Sequence, residues 1–209
     1  MGVRVHARGL VDFGLKRVRQ FRLEDREKLF KDYFKFIIVR EPMERLYSGY
    51  HDKLKSNLDE KEQGYKRYYL RRIGTKIIKM FRPDAPNYVL KSGRSVKFDE
   101  FLGFLNKKMN NRSNVDPHWR PFHRIINPCA FEFDFIAKQE TMYNDSKFIL
   151  SKLFGSENIK DILPKQNVRA GDKKSVLDRV EHPRSFEEVV KHYAPDFEVY
   201  GYDMEKYLQ

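Results

Sequence analysis

The sequence predicts an α/β fold with a parallel sheet, because two segments each have the pattern of a strand followed by a helix. The first is an apolar, partly β-branched run at residues 33–39, which is typical of a buried strand. Pro42 follows at a position suited to the first turn of a helix. The second is residues 131–135, where phenylalanine alternates with acidic residues, and a helix is predicted to follow over 144–154.

Apolar residues at helical spacing predict the other helices. On the first helix, this stripe consists of Met43, Leu46, Tyr47, Tyr50 and Leu54. A helix rich in lysine and arginine is predicted over residues 65–81, and another over 98–109. Ser185 and Glu188 have the spacing of a capping box, which predicts a final helix that ends at Pro195.

The length of 209 residues predicts one domain, 1–209, with peripheral helices over 1–32. With 40% apolar and 14% aromatic residues, the chain can form a substantial core, which excludes the class of disordered proteins. The polar stretch 55–64 and the basic stretch 164–184 are predicted to be surface loops.

The composition is strongly basic, with 42 lysines and arginines against 30 aspartates and glutamates and a net charge of +12. Such a chain attracts polyanions, a class that includes nucleic acids, acidic lipids, phosphorylated cofactors and acidic polysaccharides. The charge therefore predicts the kind of partner without selecting one.

The single cysteine, Cys129, excludes an internal disulfide and a cysteine-based zinc site, and we expect no metal. No segment approaches the roughly 20 apolar residues of a membrane span, and the N-terminal residues lack the apolar run of a signal peptide. We therefore expect any attachment to a membrane to depend on an anchor that this sequence does not contain.

The segment 36–55 has the layout of a phosphate site. A buried strand delivers Arg40 to the carboxyl end of the sheet, where open α/β folds bind their ligands. The helix that follows has Arg45 and Ser48 on its polar face. An arginine and a hydroxyl that converge form a phosphate clamp, because charge-assisted hydrogen bonds to phosphate are strong. The same spacing is compatible with an arginine in a salt bridge and a serine that faces solvent.

This segment also resembles the 3′-phosphate-binding motif of sulfotransferases that use 3′-phosphoadenosine-5′-phosphosulfate (PAPS). An arginine, an acidic residue and a proline are followed by Glu-Arg-Leu and Ser-x-Tyr. The segment is most similar to that of the Golgi carbohydrate sulfotransferases of the chondroitin and dermatan 4-sulfotransferase type. In that family the arginine and the serine eight residues later hold the 3′-phosphate, which implies this role for Arg40 and Ser48. Glu41 stands where the family usually has aspartate.

Further motifs similar to those of this family follow in the same order. They lie at residues 74–78, 82–85, 96–101, 116–121, 127–129, 133–141 and 193–202. The resemblance implies a P-loop-like sulfotransferase fold with a central parallel sheet and PAPS as co-substrate. It also implies an acidic, chondroitin-like or dermatan-like glycan as acceptor and a lumenal position at the Golgi membrane.

The family's loop for the 5′-phosphosulfate, which resembles Pro-Lys-x-Gly-Cys-Thr, does not precede Arg40. The nearest basic cluster with a glycine, residues 91–95, lies downstream and predicts a turn before the helix at Phe98. We therefore expect an N-terminally truncated sulfotransferase domain without its first phosphate-loop unit. A noncatalytic remnant that binds nucleotide or polyanion is the alternative.

Sulfuryl transfer to a sugar hydroxyl requires a base near the acceptor oxygen. His118 is the first candidate, because it lies in a predicted loop beside Trp119, whose ring can stack on a sugar. Asp116 and Glu140 are alternative bases. A structural role for the His118 ring, as the cap of a turn or a packing partner of Trp119, is the other interpretation.

The basic and aromatic residues of 65–82 can follow an anionic glycan, and Arg120 and Arg124 would add to such a groove. The same chemistry suits single-stranded nucleic acid, and a solvated basic helix face is the structural alternative. Because the sequence has no recognised nucleic-acid-binding motif, we expect a glycan rather than a nucleic acid. Asn111 and Asn144 each begin a glycosylation sequon, which suits a lumenal domain.

Overall fold

The computed structural model describes residues 16, 18–57, 64–130, 132–155 and 175–208. Most of the two predicted loops, residues 58–63 and 164–174, lies outside the described residues, as does Phe131 of the predicted second strand. Of the predicted peripheral region, residues 1–15 also lie outside them, and the helix that follows has no buried residue.

Helices make up most of the described chain. They are α1 (Leu23–Asp32), α2 (Pro42–Lys53), α3 (Gly64–Tyr69), α4 (Thr75–Phe81), α5 (Asn87–Ser92), α6 (Phe98–Asn110), α7 (Met142–Phe154), α8 (Pro183–His192) and α9 (Ala194–Tyr200). The strands are β1 (Phe36–Val39) and β2 (Phe135–Lys138), and short 3₁₀ helices lie at Val18–Gln20, Phe122–Arg124, Gln139–Thr141, Leu177–Arg179 and Glu205–Tyr207. Among these described helices, none has both the length and the apolar character needed to cross a bilayer.

β1 and β2 form a parallel two-stranded sheet in which Phe36 pairs with Phe135. This confirms the parallel pairing, but the second strand lies later than the predicted segment 131–135. The ladder starts only after Asp134, whose carboxylate accepts a hydrogen bond from the backbone N–H of Lys35 at 2.7 Å. The alternating segment before it therefore leads into the sheet instead of forming the strand.

Within the described residues, only one face of this sheet is covered. Ile37, Val39 and Ala137 are buried, whereas Phe36 and Ile38 are 40% and 46% exposed. Because the pairing is parallel, the carboxyl ends of both strands lie side by side, where α2 follows β1 and the Gln139–Thr141 turn follows β2.

α6 lies in the main core and packs against both α4 and α8. Its residues Phe101, Leu102 and Leu105 are fully buried, which confirms the helix predicted from their spacing. Asn106 on the same helix donates a hydrogen bond to the carbonyl of Ser185 at 2.8 Å, so α8 is fixed in position along α6.

The predicted basic helix over 65–81 forms as α3, a π-helical segment (Leu70–Gly74) and α4 in succession. A Cβ atom on Gly74 would lie only 2.2 Å from the carbonyl oxygen of Gly93. Gly93 ends α5 with a φ of 69°, a left-handed conformation that favours glycine. The cluster 91–95 is therefore the turn before α6 that the sequence predicts.

α8 begins before the predicted capping box. Pro183 occupies its first turn, and the predicted start at Ser185 is wrong. Asp99 of α6 instead accepts hydrogen bonds from the backbone N–H groups of Glu181 and His182, at 3.2 and 2.8 Å. A carboxylate from α6 thus binds the backbone at the start of α8, a contact that the sequence pattern does not predict.

Pro195 begins a helix, whereas the sequence predicts that it ends one. α8 ends at His192, and Pro195 lies in the first turn of α9, a position that tolerates its missing N–H. The adjacent Asp196 is 1% exposed and accepts hydrogen bonds from the backbone N–H groups of Phe122 and His123, at 2.5 and 2.8 Å. α9 thereby holds the Phe122–Arg124 turn beside the sheet.

Candidate functional site

The end of β1 and the start of α2 place Arg40 at the carboxyl edge of the sheet. α2 begins at Pro42 as predicted, and Glu41 caps it by accepting a hydrogen bond from the backbone N–H of Glu44 at 2.7 Å. From the end of β2, the carboxylate of Glu140 accepts the backbone N–H of Glu41 at 2.8 Å. The two strand ends are therefore tied together next to Arg40.

Arg40 and Ser48 line one cavity of about 260 Å³, together with Arg45, Phe122 and Gln139. The nearest carboxylate oxygen to Arg40 is that of Glu44, at a loose 3.8 Å, and both side chains are partly exposed. Among the described residues, none forms a hydrogen bond with the Ser48 hydroxyl. The arginine and the hydroxyl are thus both available to an anion in this cavity.

Arg45 joins α2 to the loop that carries His118. Its guanidinium donates hydrogen bonds to the carbonyls of Arg120 at 2.8 Å and Pro117 at 3.0 Å, and it lies 5.2 Å from the centroid of the Phe122 ring. Burial lowers the pKa of Arg45 from its ordinary value. Because its donors are engaged, Arg45 positions the loop and adds positive charge beside Ser48.

A second cavity, of about 580 Å³, adjoins the first, since Arg45 and Ser48 line both. Its wall also includes His51, Asp52 and His118. α2 approaches this loop closely at Gly49, where a Cβ atom would lie 2.9 Å from the carbonyl oxygen of His118. The predicted clamp and the predicted base are therefore neighbours, although 70 residues separate Ser48 from His118 (118 − 48).

His118 is held by a carboxylate. Its Nδ1 lies 2.6 Å from Asp116 Oδ1, which also accepts the backbone N–H of His118 at 3.0 Å. The hydroxyl of Tyr69 lies 3.2 Å from the same Nδ1 and 3.3 Å from Asp116 Oδ2. Burial, and to a smaller extent the negative charge of Asp116 and the hydrogen bond to it, raises the pKa of Tyr69 to about 12, so this phenol stays protonated near neutrality. A carboxylate on Nδ1 favours the tautomer that leaves Nε2 as an acceptor.

Trp119 does not offer its ring to a ligand, so the prediction that it stacks on a sugar is wrong. The side chain is 2% exposed. Its indole packs edge-on against Phe101 and Tyr69, with ring centroids 5.3 and 6.0 Å apart, and the hydroxyl of Tyr193 donates to its backbone carbonyl. Trp119 therefore anchors the loop in the core, while its neighbour His118 stays about half exposed.

Glu140 lies outside the cavity of His118 and is engaged at both carboxylate oxygens. One oxygen accepts the backbone N–H of Glu41, and the other accepts the hydroxyl of Tyr202 at 2.9 Å. Burial, together with this hydrogen bond, raises the pKa of Tyr202. These contacts give Glu140 a structural role at the strand ends, which disfavours it as the alternative base.

The remaining predicted site residues lie apart from the first two cavities. Arg120 donates to the carbonyl of Val115 at 2.9 Å and lines a third cavity, described below. Arg124 is exposed at the end of the 3₁₀ helix. Asn111 and Asn144 are both exposed, the first at the end of α6 and the second on α7.

His51 and Tyr69 are the site residues that sequence patterns alone do not assign to a role. His51 lines the cavity of His118, and its pKa is lowered by burial and by the positive charges of Lys55, Lys66 and Arg179. Its position three residues after Ser48 on the same helix is the signal that indicates a place near the site.

The cap of α2 predicts a measurable pH dependence. Burial raises the pKa of the Glu41 carboxyl above its ordinary 4.5, although the hydrogen bond from Glu44 opposes this. Because the folded chain binds this proton more tightly than the unfolded chain does, the stability that Glu41 contributes falls as the pH rises from 4.5 through the higher pKa of the folded state. Urea unfolding of Glu41→Gln should therefore show a free energy of unfolding that increases, relative to wild type, from pH 4.5 toward neutrality. Glu24→Gln, at an exposed site on α1, is the control, and a difference that does not vary with pH would contradict the prediction.

Comparison with known proteins identifies a family and several relatives that the chain resembles. It matches the Sulfotransferase family over residues 6–203. It is 30% identical over 204 residues to carbohydrate sulfotransferase 11 of Mus musculus, which covers 95% of this chain and 55% of that protein. It is 31% identical over 181 residues to carbohydrate sulfotransferase 14 of Danio rerio, which covers 83% of this chain and 45% of that protein. It is 32% identical over 146 residues to carbohydrate sulfotransferase 9 of Homo sapiens, which covers 70% of this chain and 31% of that protein. No solved structure matches significantly.

The chain spans about half the length of the first of these relatives. Its helices and small parallel sheet agree with the predicted α/β sulfotransferase fold. The family match extends over nearly all of the chain, and relatives named carbohydrate sulfotransferases align over most of it. We conclude that the chain belongs to the sulfotransferase family.

Proposed function

We propose that the chain acts as a carbohydrate sulfotransferase, which moves a sulfuryl group from PAPS to a hydroxyl of a glycosaminoglycan or related glycan. The observation that supports this most directly is the pair of adjoining cavities. Arg40 and Ser48 line one, His118 lines the other, and Ser48 lies on the boundary between them. A donor site next to an acceptor site is what group transfer between two substrates requires.

On the donor side, Arg40 and Ser48 fit the 3′-phosphate of a nucleotide. The guanidinium offers paired donors, and the hydroxyl of Ser48 adds a third from α2. PAPS, when bound, supplies the activated sulfuryl group. Arg45 adds positive charge at the boundary and keeps the acceptor loop in position through its two carbonyl contacts.

On the acceptor side, His118 Nε2 accepts the proton of the attacking sugar hydroxyl. As the new bond from the sugar oxygen to sulfur forms, the bond from sulfur to the phosphate oxygen breaks, and the nucleotide leaves as 3′-phosphoadenosine-5′-phosphate (PAP). Asp116, 2.6 Å from Nδ1, stabilises the imidazolium that results. His118 therefore acts as the base, and Asp116 is a positioning residue.

The compartment and the acceptor class follow from the family resemblance. We propose a lumenal position at the Golgi membrane, with a chondroitin-like or dermatan-like glycan as acceptor. The exposed asparagines Asn111 and Asn144 are suited to carry N-glycans there.

Nucleotide binding tests the donor site directly. Calorimetry with PAP should show binding to the wild-type chain and about 10–100-fold weaker binding to Arg40→Ala, because a charge-assisted contact contributes about 1.5–3 kcal/mol. Ser48→Ala should weaken binding by roughly 2–10-fold, as expected for one neutral hydrogen bond.

The controls are Arg184→Ala and Ser151→Ala, which make the same substitutions on α8 and α7, away from both cavities. A folded wild-type chain that does not bind PAP would contradict the clamp. Transfer of radiolabelled sulfate from PAPS to desulfated chondroitin then separates an enzyme from a noncatalytic remnant that only binds nucleotide.

A further inference from the structure

A third cavity, of about 300 Å³, shares the loop of His118. Asp116 and Pro117 line it, and Pro117 also lines the cavity of His118. Four basic residues converge on it: Arg72 and Lys76, four residues apart on the helix that runs from the π segment into α4, Lys108 from α6 and Arg120 from the loop.

The positive charge in this cavity is largely uncompensated. Among the described residues, no carboxylate lies within ion-pair distance of Arg72, Lys76 or Lys108. Asp116, the acidic residue in the lining, is already bonded to His118. Cations that converge on a concave surface without a counter-charge attract and hold anions.

The lysines owe their positions to the fold. The π segment and the contact between Gly74 and Gly93 fix the register of the helix before Lys76. Lys108 lies on α6, one turn from the buried Leu105, and its Nζ is 5.8 Å from the centroid of the Phe104 ring. Their neighbours Lys79 and Lys107 are exposed on the same helices and do not line the cavity.

We propose that this basic cavity binds a sulfate or carboxylate group of the acceptor glycan, carried on a sugar near the one that is modified. The inference rests on the proposed function, since it takes His118 to mark the acceptor hydroxyl. Pro117 separates the two cavities, so a glycan that crosses this residue occupies both. The chain is thereby selective for acidic acceptors over neutral ones.

The lining of the cavity favours a glycan over single-stranded nucleic acid. Nucleic-acid grooves present open aromatic faces on which bases stack. The rings in this lining belong to Trp119 and Phe104, which are 2% and 7% exposed. The cavity therefore offers charge and donors without a stacking platform.

Two matched double variants of the full chain test the site. Lys76→Ala/Lys108→Ala removes charge from the cavity, and Lys79→Ala/Lys107→Ala removes the same charge from the same helices outside it. The probes are a desulfated chondroitin oligosaccharide, whose only charges are carboxylates, and a carboxyl-reduced chondroitin sulfate oligosaccharide, whose only charges are sulfates. We expect the cavity variant to bind at least one probe about tenfold or more weakly than wild type, and the outer variant to stay within about twofold. The probe that loses more affinity identifies the group bound.

Equal losses in the two double variants would overturn the proposal, because diffuse surface charge then explains the binding. Tighter binding of a single-stranded oligonucleotide, with the same sensitivity to Lys76→Ala/Lys108→Ala, would overturn it in favour of nucleic acid. Calorimetry with PAP separates this proposal from the proposed function: the cavity variant should bind PAP like wild type. A wild-type chain that binds the glycan probes but not PAP would overturn the proposed function alone.

Discussion

Replacing His118 with alanine is expected to slow sulfuryl transfer by about 10²–10⁴-fold, the range for loss of a positioned general base. The physical reason is the hydrogen bond of Nδ1 to Asp116, which leaves Nε2 as the acceptor on a side chain that lines the second cavity. Because Arg40 and Ser48 are unchanged, PAP should bind with wild-type affinity. Initial rates with radiolabelled PAPS and calorimetry with PAP measure the two quantities separately.

Asp116→Asn distinguishes a base from a merely structural histidine. The variant keeps the His118 ring but removes the charge that stabilises its imidazolium form, so transfer should slow while the chain stays folded. If the two residues act as a unit, the double variant should be no slower than His118→Ala alone. His182→Ala, at an exposed position before α8, is the matched histidine control. Wild-type transfer rates in His118→Ala would remove His118 from the reaction.

Replacing Gly74 with alanine should lower the free energy of unfolding by about 3 kcal/mol or more, one of the largest effects expected outside the site. The added Cβ would lie 2.2 Å from the carbonyl oxygen of Gly93, a backbone atom that cannot rotate away. Gly93 packs on the same stretch of helix, where a Cβ atom on it would lie 1.9 Å from the carbonyl oxygen of Leu70, so the two segments could accommodate a methyl group only by moving apart. Urea unfolding followed by circular dichroism measures the loss.

Gly103→Ala is the matched control, since Gly103 is also a helical glycine with a close neighbour. Its added Cβ would lie 2.7 Å from the tip of the Phe81 ring, which is 42% exposed and free to swing outward. Alanine also favours a helix by about 1 kcal/mol over glycine. The control should therefore stay within about 1 kcal/mol of wild type, and an equal loss in both variants would show that the contact between Gly74 and Gly93 is unimportant.

The parts of the fold that depend on neighbouring residues could be predicted from the sequence. The strand ending at Val39, the proline at the start of α2 and the apolar stripe behind it are local patterns, and they bring Arg40 and Ser48 to one cavity. The buried face of α6 follows from its spacing in the same way. Each of these predictions needs only the period of a helix or a strand.

The parts that depend on distant partners could not be predicted. The residues next to Trp119 in the sequence do not show whether its ring faces a sugar or the core. The ring lies in the core because it packs against Phe101, which comes from α6. The helical period places Arg45 on a polar face, but its guanidinium donates to carbonyls 72 and 75 residues away in the sequence. Asp99 binds the backbone at the start of α8 by a contact that spans 83 residues. No local period encodes contacts of this kind.

The pairing of β1 with β2 also has a consequence for how the chain folds. Their first residues are 99 positions apart, as Phe36 and Phe135 (135 − 36), so the sheet forms only after a long loop closes. The helices from α3 to α6 contact one another in order along the chain, although α6 also packs on the distant α8. Because loop closure costs entropy before the pairing contributes stability, we expect the helices to form early and the strands to pair late. The residues that carry Arg40 would then be among the last to reach their native positions.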